Sequence, residues 1–152
     1  MKILGIDTST MAANVAVLED DKLICEYTIN TKKTHSQKLM PMIENMLGLS
    51  DLNVREIDAI AVCEGPGSFT GIRIGIATMK AFPDVKNIPT VGVTSLESLA
   101  YNIEENATIC PNIDCKNNNV YSAMFELKDN TYVQIGDNIA EILYHYYKHN
   151  KK

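Results

Sequence analysis

The pattern of apolar and polar positions predicts three short strands at the start of the chain. Runs rich in Ile, Val and Leu occupy Lys2–Asp7, Asn14–Glu19 and Lys22–Thr28. The letters EDDK, from Glu19 to Lys22, place turn-forming polar residues between the second and third runs. These three segments are therefore predicted to form a β-meander.

A helix is predicted to follow the three strands. Thr34 and Gln37 have the spacing of a capping box, and the apolar residues after them indicate a helix that runs to about Leu47, before Gly48. Pro41 lies inside this stretch. Because proline disrupts a helix interior, the helix is predicted either to kink there or to begin later than the capping box suggests.

A strand and a second helix are predicted on either side of a glycine-rich segment. The letters DAIAVC, from Asp58 to Cys63, are typical of a buried strand. Thr70–Phe82 has the pattern of a helix, which Pro83 ends. The same reasoning predicts the following later elements: a strand over Thr90–Val93, a helix capped by Thr94 and Glu97 that runs to about Asn102, a hairpin of Ala107–Ile113 and Val120–Glu126, a strand over Thr131–Ile135, and a last helix over Asn138–Lys148.

The order of these elements indicates an α/β fold of the ribonuclease H-like type, whose duplicated form underlies actin and the sugar kinases. Such a fold has a mixed sheet, with three antiparallel strands followed by parallel strands and flanking helices. The carboxyl ends of its strands form the ligand crevice, so Asp7, Glu64 and the glycine-rich segment are expected at one edge. We predict a first lobe over residues 1–104 and a partial second lobe over residues 105–152.

Composition and charge restrict the partners of the chain. Its 152 residues are 45% hydrophobic and 22% charged, which is typical of a folded soluble protein. The net charge of -5 argues against binding nucleic acid alone, because phosphate binding depends on Lys and Arg. The start, MKILGIDTST, lacks the apolar run of a signal peptide, and no stretch is long enough to span a membrane. A cytoplasmic location is therefore predicted, with any RNA contact made through a more basic partner.

The glycine-rich segment EGPGSFTG, from Glu64 to Gly71, is the strongest candidate for a site. Its glycines permit positive dihedral angles and close backbone approach, and the hydroxyls of Ser68 and Thr70 lie beside a predicted helix start, which attracts anions. The segment matches neither G-x-x-x-x-G-K-[ST] nor G-x-G-x-x-G. Two alternatives stay open: a phosphate contact, and a tight strand-to-helix connection whose glycines serve packing.

The helix after the glycines carries apolar or small residues on two opposite sides. At 100° per residue, Ile72 and Met79 share one face, and Ile74 and Ala77 lie nearly opposite. A helix of this kind is covered on both sides. One cover is its own sheet, and the other is either another element of this chain or a partner protein. The methionine-rich first helix leaves the same two alternatives, because methionine tolerates repacking.

Candidate catalytic and metal-binding residues are sparse. Asp7, Glu64 and Asp114 fall at predicted strand ends, where a nuclease of this fold would hold two metal ions. Lone carboxylates at such positions more often form turns. A sugar-kinase-like phosphotransferase is disfavoured by the missing lysine of a phosphate-binding loop. A peptidase would need a nucleophile and a base, but for His35 beside Ser36 the spacing identifies no further catalytic partner.

The remaining clusters favour structural roles. His145 and His149, with Glu141 one turn earlier, have helical metal-ligand spacing, but their lysine-rich surroundings favour a solvated face. Four cysteines lack the C-x-x-C spacing of a zinc site, so we expect reduced, buried thiols. These cysteines are Cys25, Cys63, Cys110 and Cys115.

Five segments together resemble the bacterial TsaB (YeaZ) family. The most specific of them is GPGSFTGIRIGIATMKA, from Gly65 to Ala81. The other four are ILGIDTST at the start, THSQKLMPMIENML from Thr34, IPTVGVTSLESLA from Ile88 and IDCKNNNVYSAMFE from Ile113. The resemblance extends from Met1 to about Leu127, in the family's order.

This resemblance implies an actin-like (ASKHA) fold without catalysis of its own. Members of the family are scaffold partners of the TsaD catalytic subunit, with the TsaE ATPase, in making threonylcarbamoyladenosine at tRNA position 37. They pair with TsaD, or with a second copy when alone. The resemblance implies no firmly bound cofactor, with ATP or ADP at the partner interface as the open alternative, and contact with tRNA only through the complex.

The resemblance also implies which residues act. The partner surface would lie on the two helices of the first lobe, and a nucleotide would contact a remnant of a phosphate loop together with the glycine-rich segment. The implied partner residues are His35, Leu39, Met42, Ile43, Met46, Phe69, Ile72, Arg73, Ile74, Gly75, Ala77, Thr78 and Ala81. The implied nucleotide residues are Asp7, Thr8, Ser9, Gly65, Gly67 and Ser68. No catalytic or metal-binding residue is implied.

The chain departs from the family pattern in three places. Ala81, Phe82 and Pro83 shorten a helix that the family usually continues. DCKNNNVY stands where DARRGEVY is common, which leaves Lys116 in place of two arginines. Family members also continue through more of the second lobe, so this chain is expected to be a short form.

Overall fold

The predicted strands at the start of the chain build a mixed sheet. In a computed structural model, which describes residues 1–30, 35–82, 88–104, 106–117, 119–128 and 131–142, the sheet has the order β3-β2-β1-β4-β5. Its strands are β1 (Lys2–Asp7), β2 (Ala12–Glu19), β3 (Lys22–Asn30), β4 (Ala59–Gly65) and β5 (Thr90–Thr94). The first three pair antiparallel, and β1 pairs parallel with β4. The predicted meander and the mixed sheet are confirmed.

Two helices and one helical turn accompany this sheet. Helix α1 spans His35–Leu49 and continues through Pro41, and helix α2 spans Phe69–Ala81. Thr34, the predicted cap of α1, lies outside the described residues. A 3-10 turn over Val54–Glu56 begins with a capping box that the sequence analysis did not identify. Glu56 also accepts a hydrogen bond from Lys2, and this contact raises the pKa of the lysine above its usual value.

The core of the first unit lies between the sheet and α1. Alternate residues of the central strands face it, so that Leu4, Val17 and Ile60 are fully buried. Helix α1 contributes Leu39, Met42, Ile43, Met46 and Leu47 to the same cluster. The two helices also pack against each other. For these side chains of α1, the structure therefore supports the intramolecular alternative that the sequence left open.

The second unit is built around one long strand. Strand β8 (Asn119–Lys128) pairs antiparallel with β6 (Thr108–Ile109), β7 (Asn112–Lys116) and β9 (Thr131–Ile142). A short helix, α3 (Ser95–Ala100), is capped by Thr94 and Glu97, as predicted. Its buried residues Leu96 and Ala100 share a cluster with residues of β8. The predicted hairpin is confirmed, except that its first arm is two short strands.

The predicted last helix is wrong where the structure describes it. Residues 138–142 continue β9, which pairs with β8 as far as Ile142. The partner strand explains the difference: β8 extends ten residues and offers backbone groups along its whole length, so pairing overrides the weak helical pattern. The rest of the predicted helix, residues 143–148, lies outside the described residues.

The contacts within the chain divide it into Met1–Val93 and Thr94–Lys152. The division after residue 104 that the sequence suggested differs from this one by helix α3, which groups with the second unit. None of the helices in the described ranges has the length and apolarity that crossing a membrane requires.

The burial of α1 predicts a large difference between two leucines of the same helix. Leu39 is 1% exposed and Leu49 is 79% exposed. We expect Leu39→Ala to lower the free energy of unfolding by about 2–5 kcal/mol, because it leaves a cavity, and Leu49→Ala to change it by less than about 0.5 kcal/mol. Urea unfolding of both variants measures this. Similar values for the two would contradict the assignment of Leu39 to the core.

Candidate protein-interaction site

The connection from β4 to α2 turns sharply at Gly65. This residue has a φ of 94°, which favours glycine, and the Gly65–Pro66 peptide bond is cis. A Cβ atom at Gly65 would lie 2.6 Å from Cδ1 of Ile72, so a side chain at this position would also clash with the first turn of α2. The connection brings Gly67 and Ser68 against the segment that follows β1.

Three glycines at four-residue spacing let α2 lie directly on that segment. A Cβ atom at Gly67 would clash with the carbonyl oxygen of Ser9, and one at Gly71 would clash with the carbonyl oxygen of Thr8. One at Gly75 would lie 2.6 Å from Oγ1 of Thr8. Gly71 and Gly75 lie one turn apart on the same face of α2, and Gly67 lies just before the helix, so all three meet this segment without side chains. The helix axis therefore comes as close to β1 as backbone atoms allow.

Hydrogen bonds fasten this contact. The buried hydroxyl of Thr8 donates to the carbonyl of Gly71 at 2.8 Å, and the N–H of Ser68 donates to the carbonyl of Ser9 at 2.6 Å. Ser9 in turn donates its N–H to Asp7 at 2.8 Å. Oγ of Ser68 caps α2 by accepting from the N–H of Gly71 at 3.2 Å. Two donors at this helix start, the N–H groups of Ser68 and Gly71, are thus bonded to the chain itself.

All six residues implied for nucleotide binding lie at or beside this contact. Thr8 and Ser9 are buried, and Asp7 and Ser68 hold hydrogen bonds within the chain. Gly65 and Gly67 have contacts that exclude side chains. The arrangement assigns these residues a packing role. Nucleotide binding by the same residues stays a prediction.

The residues implied for the partner surface separate into three groups. Leu39, Met42, Ile43, Met46 and Gly75 are buried within the first unit. His35, Ile72, Ile74 and Thr78 are half-buried, and Phe69, Arg73, Ala77 and Ala81 are exposed. The buried group is already covered by the chain's own core. Direct contact with a partner is therefore open mainly to the exposed group, which lies on α2.

The exposed side of α2 combines an aromatic ring, cations and small residues. The guanidinium of Arg73 stacks 3.9 Å from the ring centroid of Phe69, which is 68% exposed. Ala77 lies one turn after Arg73, and Lys80 is nearly aligned with Arg73 two turns along. We call Phe69, Arg73, Ala77, Lys80 and Ala81 the α2 face.

A hollow adjoins the end of the α2 face. Its volume is about 250 Å³, and it is lined by Ala81 at the end of α2, by the following Phe82, and by Ile43, Glu44 and Leu47 of α1. Met40, also on its wall, is a partly exposed apolar side chain. The hollow is nearly all apolar, with Glu44 as its charged lining residue. It has room for one large apolar side chain.

The carboxylates considered for a nuclease have local structural roles. Asp7 and Asp114 each accept a backbone N–H two residues further on, from Ser9 and Lys116, which is the hydrogen bond of an Asx-turn. The carboxylate of Glu64 lies against Gly92 on the neighbouring strand. Within the described ranges, no three His, Cys, Asp or Glu side chains are grouped to hold a metal ion. His145 and His149 lie outside these ranges.

The half-buried His35 has a contact that its sequence context did not reveal. Its Nε2 lies 3.1 Å from the carbonyl oxygen of Thr10, in the turn between β1 and β2. The four cysteines are free thiols, of which Cys63 is buried and the other three are half-buried. Sequence reasoning did not use the four-residue spacing of Gly67, Gly71 and Gly75, although this spacing is the signal that would have indicated the close contact with β1.

The fold and this connection define an actin-like α/β protein. A solved structure described as YeaZ from Pseudomonas aeruginosa matches 93% of the chain and 67% of its own chain, with a TM-score of 0.81 and 27% identity. A family model described as "TsaD: tRNA N6-adenosine threonylcarbamoyltransferase" matches residues 22–151.

The curated relatives agree with this match. The chain is 36% identical over 136 residues to "tRNA threonylcarbamoyladenosine biosynthesis protein TsaB" of Bacillus subtilis, covering 89% of this chain and 59% of that protein. It is 31% identical over 144 residues to the protein of the same name from Buchnera aphidicola, covering 93% and 68%. The chain belongs to the TsaB (YeaZ) family. It spans less than two thirds of the length of the Bacillus relative.

The close contact predicts opposite effects for two glycine substitutions. Gly71→Ala should lower the free energy of unfolding by about 1–3 kcal/mol, since its methyl group meets the carbonyl of Thr8. Gly48, in α1, has no atom within 4 Å of a Cβ position. Gly48→Ala should therefore raise the stability by about 0.5–1 kcal/mol. Urea unfolding compares them, and a neutral Gly71→Ala would contradict the contact.

Substitutions of Ser68 distinguish a role as a helix cap from a role as a phosphate ligand. Ser68→Ala should lower the free energy of unfolding by about 1 kcal/mol, whereas Ser68→Asp should retain it, because aspartate also caps helices well. A carboxylate at this position would repel a phosphate. Thermal unfolding of both variants, with and without ATP, is the measurement. ATP stabilising the parent chain but not Ser68→Asp would contradict a purely structural cap.

Proposed function

We propose that this chain is a non-catalytic scaffold subunit in the synthesis of threonylcarbamoyladenosine in tRNA. In this role it pairs with a TsaD-type catalytic subunit. The relatives' printed name, a threonylcarbamoyladenosine biosynthesis protein, and the transferase description of the matching family model support the pathway. The observation that carries the scaffold role is the exposed α2 face, on a helix that the glycines fix in position.

The local chemistry supports a subunit without catalysis of its own. A phosphotransferase needs donors directed at phosphate, and here the start of α2 bonds to the β1–β2 turn. A two-metal nuclease needs converging carboxylates, and Asp7 and Asp114 are engaged in backbone turns. The residues from which those alternative functions were inferred therefore have structural partners.

The wider assembly is proposed from the family. A TsaE-type ATPase joins the catalytic subunit, ATP or ADP binds near the partner interface, and tRNA contacts this chain only through the complex. Without its partner the chain forms a homodimer. The net charge of -5 supports an indirect role with tRNA, because an acidic chain repels the phosphate backbone. The assembly acts in the cytoplasm, with no membrane partner.

Light scattering after size exclusion tests the scaffold role. The chain is measured alone and mixed with the TsaD-type subunit encoded in the same genome, each with and without ATP. A heterodimer that forms in place of a homodimer is the expected result. The catalytic subunit is added at about 100 µM, ten times the concentration of the chain. If the chain shows no gain in mass under these conditions, the proposal is overturned, since specific interfaces have dissociation constants below this concentration.

The pairing has a mutational test that does not change charge. Ala77→Trp should weaken association with the catalytic subunit at least about tenfold, because helices that meet at small residues pack with axes about 8–10 Å apart and the indole would hold them further apart. Ala107→Trp, at an exposed position of the second unit, is the matched control. Circular dichroism verifies folding. Equal affinities of the two variants would exclude α2 from the interface.

A further inference from the structure

The α2 face carries two cations and no acidic residue of its own. Helix α2 contains Arg73 and Lys80 and no acidic residue, in a chain whose net charge is -5. Within the described ranges, neither side chain forms an ion pair. Because seven residues make nearly two helical turns, the two cations point in directions about 20° apart and lie about 10 Å from each other along the axis.

Arg73 is also held in a geometry suited to a carboxylate. Its guanidinium stacks over the ring of Phe69, at 3.9 Å from the centroid. Because stacking already restricts the Arg73 side chain, less conformational entropy is lost when it binds a partner. Its planar guanidinium group donates two parallel hydrogen bonds to one carboxylate. An exposed aromatic ring beside an ordered arginine is also the composition that interface centres favour.

The occupant is inferred from charge and shape together. Two cations separated by about 10 Å match carboxylates seven residues apart on a facing helix. Ala77, between them, leaves room for that helix, and the hollow beside Ala81 accepts an apolar side chain rather than a phosphate. RNA fits less well, because its binding sums many phosphate contacts and the whole chain is acidic.

We propose that the α2 face binds a helix of the catalytic subunit that presents carboxylates to Arg73 and Lys80. This inference rests on the proposed pairing and adds its chemistry: the contact is steered by charge and weakens as salt is added. Complementary charges mainly raise the rate at which two proteins associate, and added salt lowers that rate. Arg73 supplies the oriented contact, and Lys80 supplies a second charge.

Charge reversal with a matched control tests this inference. The variant is Arg73→Glu with Lys80→Glu, and the control is Lys22→Glu with Lys128→Glu, which makes the same change in net charge at exposed sites of β3 and β8. Stopped-flow binding to the TsaD-type subunit is measured at low and high salt. We expect the α2 variant to associate at least about tenfold more slowly than the control at low salt, and to lose most of its salt dependence.

A conservative variant separates charge from folding. Arg73→Lys with Lys80→Arg retains both charges and should keep the association rate within about threefold of the parent. Circular dichroism of all variants confirms that the exposed substitutions leave the fold unchanged. If the conservative variant loses binding as fully as the charge reversal does, the charge-steering inference is overturned.

The remaining outcomes distinguish this inference from the proposed function. If the parent chain binds and the α2 charge reversal behaves like the control, the charge inference fails and the scaffold role stands. If the charge reversal leaves pairing intact but removes retention of tRNA by the complex, the face serves RNA, and the inference is overturned. If the parent chain shows no binding at all, both fail.

Discussion

The close approach of the Thr8–Ser9 backbone to Gly67, Gly71 and Gly75 is the constraint on which the first unit depends. Any side chain on these glycines would meet backbone or hydroxyl oxygen atoms of that segment. Their absence lets α2 lie directly over the end of β1, where hydrogen bonds from Thr8 and Ser68 hold it. The position of α2, and hence the side that it exposes, follows from this contact.

The same contact gives the glycine-rich segment a packing role. A glycine loop at the start of a helix is suited both to binding phosphate and to close packing, and both uses require free space and backbone N–H groups. Here the turn that follows β1 occupies that space: the carbonyl of Ser9 accepts a hydrogen bond from the N–H of Ser68, and the hydroxyl of Thr8 donates one to the carbonyl of Gly71. The two uses compete for the same atoms. In the packing use, the segment fixes the position of α2.

Much of the fold was predictable, because the apolar pattern of each early element agrees with its environment. The meander, the β4–α2 pair and the Thr94–Glu97 cap were all predicted within a few residues. The last helix was wrong over residues 138–142, since pairing with β8 is a long-range contact that local pattern does not contain. Likewise, only the tertiary structure shows that Met42 and Met46 face the core while Phe69 faces outward. The pattern of a helix predicts that one side is covered, but not by what.

Hydrogen–deuterium exchange of the chain, alone, with ATP, and with the TsaD-type subunit, tests most directly whether the glycine segment positions a contact helix. We expect the catalytic subunit to slow exchange in Phe69–Ala81 and to leave exchange in β8 unchanged, and we expect ATP alone to have no effect on exchange at residues 65–68. Slower exchange at residues 65–68 with ATP alone, together with no change in α2 when the catalytic subunit is added, would contradict this role of the segment.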